Sequence, residues 1–149
     1  MLIKMLPTQA VTQWSRVSKA LDNSIFPLAD KSPDKMLNIM AEVGTGILTC
    51  WWSVDKSDEF NKCKGIVITK VFEDFTSKTR SLLIFCLYAF EKQESKEYLS
   101  AIDTLMRYAR GEGCSNIILY SSNEKMTKLL KKYGGNTDHT LVVFPMFIK

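Results

Sequence analysis

Few residues in this chain belong to the types that carry acid–base, nucleophilic or metal chemistry, and their spacing limits what that chemistry is. His139 is the only histidine, beside Asp138 in a polar stretch. Glu73 and Asp74 sit together just past an apolar run. Glu73, Asp74 or His139 could serve as a general base, provided it reaches a substrate amine directly or through one water. A lone histidine in a loop reads first as a surface residue. The four cysteines, Cys50, Cys63, Cys86 and Cys114, are far apart and form no CxxC pair. With one histidine and no clustered ligands, no zinc site is expected. Cys86 lies in a strongly apolar segment and reads as a small core residue, not a nucleophile. No Ser-His-Asp order or supported Cys-His pairing is present.

The junction LYAFEKQESKEYL, residues 87–99, runs from an apolar strand through a polar turn into a helix. Backbone N–H groups at such a helix start form an anion site. The turn at 91–97 holds Glu91, Glu94 and Glu97 with Lys92 and Lys96, and has no glycine or arginine. A glutamate about 4 Å from a phosphate costs about 1 kcal/mol in water and about 4 kcal/mol at a partly buried site. The simpler role for these glutamates is to stabilise the first turn through the helix dipole. Lys125, Lys128, Lys131 and Lys132 crowd the last helix, where they complement the dipole on a solvated face. Arginine is confined to Arg16, Arg80, Arg107 and Arg110, so a nucleic-acid surface is not expected.

These residues must be positioned by an ordinary globular chain. It has 149 residues, 46% hydrophobic and 24% charged, with a formal net charge of +4. One domain spanning 1–149 suits that length. No apolar run reaches the roughly 18 residues of a membrane span, and the N-terminus lacks a cleavage pattern. A cytoplasmic protein with reduced thiols is expected. The alternation at 2–6 predicts a strand. A helix follows with Thr8 as N-cap and Val11, Trp14, Val17, Leu21 and Ile25 on one face, closed by Pro27. A second helix starts at Ser32-Pro33, turns Met36, Leu37, Ile39, Met40 and Val43 inward, and ends at Gly44 and Gly46. Antiparallel strands are predicted at 47–54, 64–72 and 80–90. Trp51 and Trp52 must point to opposite faces, with one covered by the chain's own helices. Ser95 caps a helix bearing Tyr98, Leu99, Ile102, Leu105, Met106 and Ala109, which stops at Gly111 and Gly113. A strand at 116–120 then returns parallel to 80–90. Asn123 caps the last helix, with Met126, Leu129, Leu130 and Tyr133 as its apolar side and Gly134-Gly135 at its end. A final strand spans 140–148, bulged or at an edge at Pro145. An apolar edge there invites a partner subunit.

The order strand, helix, helix, three antiparallel strands, helix, strand, helix, strand resembles the GNAT fold of the acyl-CoA N-acyltransferases. That is an α/β (α+β) class with a mixed sheet and a splayed parallel pair. The likeness is closest over YARGEGCSNIILYSSNEKMTKLLKKYGG, with Asn123, Met126, Leu129 and Gly134 at the family's spacing. The resemblance implies an acetyl-CoA cleft between strands 80–90 and 116–120. It implies cofactor-binding positions at Leu87, Tyr88, Phe90, Lys92, Ser95, Lys96 and Asn123, with Glu73 or His139 as base. Two departures accompany it. The turn at 91–97 lacks the family's glycines and arginine, and Leu130 stands where many members have a general-acid tyrosine. Tyr133 falls on a core position, and Gly135 replaces a usual phenylalanine. The departures imply a degenerate, non-catalytic binding or structural protein that needs no CoA. By size and pattern such a chain resembles tailed-bacteriophage proteins, some of them virion components, working through protein partners or self-association. The alternative is an active acetyl-CoA-dependent N-acetyltransferase with an atypical pyrophosphate turn.

Overall fold

Alternating and continuous apolar runs in the middle of the chain build one sheet, seen in a computed structural model that describes residues 1–24, 33–55, 57 and 62–144. Five strands, β1 (Leu2–Lys4), β2 (Thr49–Val54), β3 (Cys63–Glu73), β4 (Arg80–Ala89) and β5 (Cys114–Leu119), lie in that order across it. The first four pair antiparallel, and β4 with β5 is parallel. The helices of this first unit, Met1–Leu119, are α1 (Pro7–Thr12), α2 (Trp14–Asn23), α3 (Lys35–Thr45) and α4 (Ser95–Gly111). The mixed α/β class and the parallel crossover through α4 are as the sequence predicts.

Two apolar layers explain why β3 reads as nearly unbroken hydrophobic sequence. A strand covered on both faces has no solvent side to keep polar. Ile66 and Ile68 pack with Val17, Ala20, Leu21, Ile39 and Val43 of the first three helices. Val67 points the other way, to Leu82, Ile84, Leu105 and Ala109 under α4. The two tryptophans obey the same alternation. Trp51 is buried edge-on against Tyr108 at 4.9 Å, and its indole N–H donates to Thr69 Oγ1 at 3.0 Å. Trp52 packs on the opposite layer under Arg16.

Several local expectations need correction. The first helix is two, broken at Gln13, so that Ala10 of α1 and Val17 of α2 are both buried. It starts with Pro7 at the first helical position after Leu6, and Thr8 is not its cap. Pro7 lacks the N–H that a first-turn residue cannot use anyway. Asp34 is the N-cap of α3, and Leu37 is 62% exposed, on the outer side of that helix. Glu94, not Ser95, precedes α4; its N–H donates to Glu97 Oε2 at 3.3 Å. Ile25, Pro27, Ser32 and Pro145 lie outside the described residues.

The second unit is Tyr120–Lys149. Its helix α5 (Glu124–Lys132) is capped as expected: Asn123 Oδ1 accepts from the N–H groups of Lys125 and Met126 at 3.0 and 3.2 Å. Gly135 closes the helix by donating to Leu130 O at 2.9 Å, and a Cβ there would lie 2.9 Å from that oxygen. This close approach explains glycine where the family resemblance calls for phenylalanine. Lys125, Lys128, Lys131 and Lys132 are exposed, a solvated face. Tyr133, expected in a core, is 58% exposed. Residues 140–144 form no strand, and Val142 and Phe144 are exposed. Among the described residues of this unit the one regular element is α5, and an isolated strand cannot satisfy its backbone.

Gly65 of β3 tests how tightly β3 and β4 are joined. A Cβ at that position would meet Tyr88 O, a backbone atom, at 2.8 Å. We expect Gly65→Ala to lower unfolding stability by about 1–3 kcal/mol in urea titration, with unchanged far-ultraviolet circular dichroism.

Candidate functional site

The site follows from where β5 leaves β4. Parallel pairing runs from Arg80–Cys114 to Ile84–Leu119 and goes no further. At the same point β4 carries a bulge: Ile84 pairs with Thr69 and Cys86 with Ile68, leaving Phe85 as the extra residue. A bulge shifts the side-chain alternation by one. Leu82 and Ile84 therefore face α4, whereas Cys86 joins the opposite layer beside Phe85. Beyond the bulge, β4 pairs with β3 alone. Phe90 N–H donates to Lys64 O at 2.8 Å. In an antiparallel ladder hydrogen-bonded and non-bonded pairs alternate, so the backbone groups of Leu87 and Ala89 point away from β3, along the open edge. Ser24, at the end of α2, confirms the direction: its Oγ donates to Leu87 O at 2.7 Å across 63 residues of sequence.

The open edge runs into the turn that begins α4. Ser95 and Lys96 hold the first helical positions, whose N–H groups have no acceptor inside a helix. The glutamates around them are all engaged by lysines. Glu91 Oε2 is 3.3 Å from Lys62 Nζ, and Glu91 Oε1 is 3.7 Å from Lys64 Nζ. Glu97 Oε1 is 3.8 Å from Lys64 Nζ, and Glu94 Oε2 is 3.2 Å from Lys96 Nζ. Asp55, after β2, also meets Lys64 Nζ at 3.5 Å. Gln93 Nε2 donates to Lys64 O at 3.4 Å. Lys92 is exposed.

Leu87, Tyr88, Phe90, Lys92, Ser95 and Lys96 are thus brought together by chain continuity along the end of β4 and the start of α4. Leu87 lies on the α4 side of the sheet. Tyr88 and Phe90 lie on the other side, ring centroids 5.2 Å apart. Glu73 does not join them. It pairs with Arg80 at the opposite end of β4. Asp74 is committed to the hairpin turn, accepting hydrogen bonds from Thr76 and Ser77, and these donors hold its carboxyl down to about 2. Asn123 and His139 belong to the second unit; Asn123 is a helix cap and His139 is exposed. Cys86 is 2% exposed, its Sγ donates to Ala20 O, and burial pushes the thiol up to about 12, which removes it as a nucleophile. Cys50 is raised to about 12 for the same reason. Ser24, Asp55, Lys62 and Lys64 were not singled out by sequence reasoning. A groove of about 520 Å³ between β1, β2 and α1, lined by Lys4, Gln9 and Trp52 among others, lies at the other edge of the sheet. Among the described residues no group of His, Cys, Asp and Glu could hold a metal ion, and no helix is long and apolar enough to cross a membrane.

No protein-family profile and no curated protein sequence matches the chain. Solved structures do. An aminoglycoside acetyltransferase from a soil metagenomic sample, in complex with sisomicin, superposes with a TM-score of 0.72 at 10% identity, covering 100% of this chain and 96% of that one. A ribosomal-protein-alanine N-acetyltransferase of Brucella melitensis gives 0.67 at 13%, covering 98% and 99%. A predicted acetyltransferase of Clostridium acetobutylicum, solved with acetyl-CoA, gives 0.66 at 18%, covering 97% and 95%. The chain has a GNAT-like fold.

Asp74, in the β3–β4 hairpin turn at the far end of β4 from the candidate site, gives the fold a pH signature. Its carboxyl is held to about 2 in the fold against an ordinary 3.8. A depressed acid stabilises the fold above its unfolded value, and that stabilisation disappears as protonation overtakes the folded value. Thermal melts should therefore show a wild-type advantage over Asp74→Asn that is full above about pH 4 and fades as pH falls to about 2. A difference independent of pH would contradict this.

Proposed function

We propose that the chain is an acetyl-CoA-dependent N-acetyltransferase with an unusual pyrophosphate turn. The observation that carries the reading is the end of the β4–β5 ladder at Ile84 and Leu119, beside the bulge at Phe85. This leaves a strand edge whose Leu87 and Ala89 backbone groups turn away from β3, Leu87 O being held by Ser24, and which leads directly to a helix N-terminus. An extended amide-bearing arm can pair with such an edge as an added strand does. A diphosphate fits the N–H groups of Ser95 and Lys96, because helix starts favour anions. Exposed Lys92 adds positive charge. The fold's likeness to acetyltransferases, one of them solved with acetyl-CoA, supports the same reading. The three glutamates of the turn, which from sequence argue against a phosphate, each have a lysine within 4 Å. Their charge is compensated before any ligand arrives.

The chemistry is attack of an unprotonated amine on the thioester carbonyl, with the thiolate leaving. In this reading backbone N–H groups near the bulge polarise that carbonyl, and the amine loses its proton to water. In this reading Glu73, at the end of β3 opposite Arg80, is not the base. The acceptor amine is left open, since the similar structures include enzymes named for aminoglycosides and for a ribosomal protein.

A second reading keeps the fold without the reaction, as a binding or structural module with protein partners or self-association. It is favoured by Leu130 in place of a general acid and by Ser24 already occupying Leu87 O. A virion role rests on size and pattern alone.

Calorimetry with acetyl-CoA should give a micromolar dissociation constant. At a ligand concentration about 100 times that constant, the fold should gain about 2.7 kcal/mol, raising the melting temperature. No shift at millimolar acetyl-CoA would leave the second reading. If thiol release is then detected with an amine acceptor, Glu73→Gln should change kcat/KM by less than about twofold, because only groups in reach of the transferred proton alter it strongly. A loss of a hundredfold or more would restore Glu73 as the base.

A further inference from the structure

Lys64 meets carboxylates from three separate elements: Asp55 after β2, Glu91 in the β4–α4 turn and Glu97 in the first turn of α4, all within 4 Å. Its side chain is 20% exposed, less than any of the three acids it serves. Isolated surface ion pairs contribute little to stability, so the arrangement is better explained by what it does to the turn. Glu91 places one oxygen toward Lys64 and the other toward Lys62. Glu97 places one toward Lys64 and the other on the N–H of Glu94. Every carboxylate oxygen of these two glutamates therefore has an ammonium within 4 Å or an N–H donor. The backbone of Lys64 is part of the same fastening, since its carbonyl takes Phe90 N–H and Gln93 Nε2. An ammonium on a long stem suits several single-oxygen contacts from different directions.

We infer that Lys64 is a positioning residue for phosphate recognition: it neutralises and holds aside Glu91 and Glu97, so that a turn without glycine or arginine accepts an anionic diphosphate at the start of α4. This rests on the acetyl-CoA reading above. Lys64 is not expected to touch the ligand itself. It substitutes for a glycine-rich turn by cancelling charge instead of by bringing the backbone closer.

The test compares two probes, acetyl-CoA and acetyl-pantetheine, which has the same arm and no phosphates. Lys64→Met should weaken acetyl-CoA about tenfold, the scale of one charge lost at a partly screened site, while changing acetyl-pantetheine by less than about twofold. Lys64→Arg should stay within about threefold of wild type for acetyl-CoA, since the charge is kept. Adding Glu91→Gln and Glu97→Gln to Lys64→Met should bring affinity back within about threefold, because the charge that Lys64 balanced is gone. If Lys64→Met fails to fold, Glu91→Gln alone decides. It removes one negative charge from the turn while Lys64 keeps Asp55 and Glu97, and should tighten acetyl-CoA about two- to threefold without tightening acetyl-pantetheine; unchanged or weaker binding overturns the inference. Equal weakening of both probes by Lys64→Met, or no weakening, overturns it while leaving the acetyl-CoA reading intact. Wild-type protein that does not bind acetyl-CoA overturns both.

Discussion

A strand that parts from its neighbour must find other partners for one side of its backbone, and β4 does so halfway along its length. Up to Ile84 it is laddered on both sides. From Leu87 onward only β3 is paired with it, while Ser24 reaches in from α2 to take the carbonyl of Leu87. Buried backbone polar groups are rarely left unpaired, so such an edge persists only where side chains, water or a ligand complete it. The bulge at Phe85 makes the parting possible, because the extra residue bends the strand and lets Cys86 cross to the other layer. The end of the parallel ladder at Ile84 and the change of layer from Ile84 to Cys86 both sit at that one irregularity.

Electrostatics shapes the turn that follows this edge. A turn with three glutamates should repel phosphate if its charges act alone. Here Lys62, Lys64 and Lys96 lie within 4 Å of those glutamates, and Lys92 remains exposed beside them. The dipole of α4 favours negative charge at this end. Glu97 uses it from inside the first turn, which is the plain role such an acid has in any helix. The same residues thus stabilise the helix and, once neutralised, leave its N–H groups available. Among the described residues, the ion pairs of this turn join three separate elements, whereas the lysines of α5 form a solvated face.

Much of the fold was legible along the chain. Periodicity placed β2, β3, β4, α4 and α5 close to their observed limits, and the alternation rule sent Trp51 and Trp52 to opposite layers. Asn123 was recognisable as a cap because its oxygen needs only neighbours two and three residues away. The errors fell at ends and breaks. Nothing local marks the break at Gln13. Glu94 replaced Ser95 before α4 because Glu97 could reach back to its N–H. Residues 140–144 read as part of a strand and form none, because a strand needs a neighbour and periodicity does not supply one.

By itself, then, the sequence determined the order of the central strands and most of the helices, and the opposite facing of Trp51 and Trp52, because those depend on residues a few positions apart; it misplaced Leu37, Tyr133 and residues 140–144. Only the tertiary structure decided where β5 leaves β4, that Glu73 lies at the far end of the strand from the open edge, and that Lys64 gathers Asp55, Glu91 and Glu97. Ladder ends and ion pairs join residues distant in the chain. Their energies depend on separations in space, which no local pattern of residue types encodes.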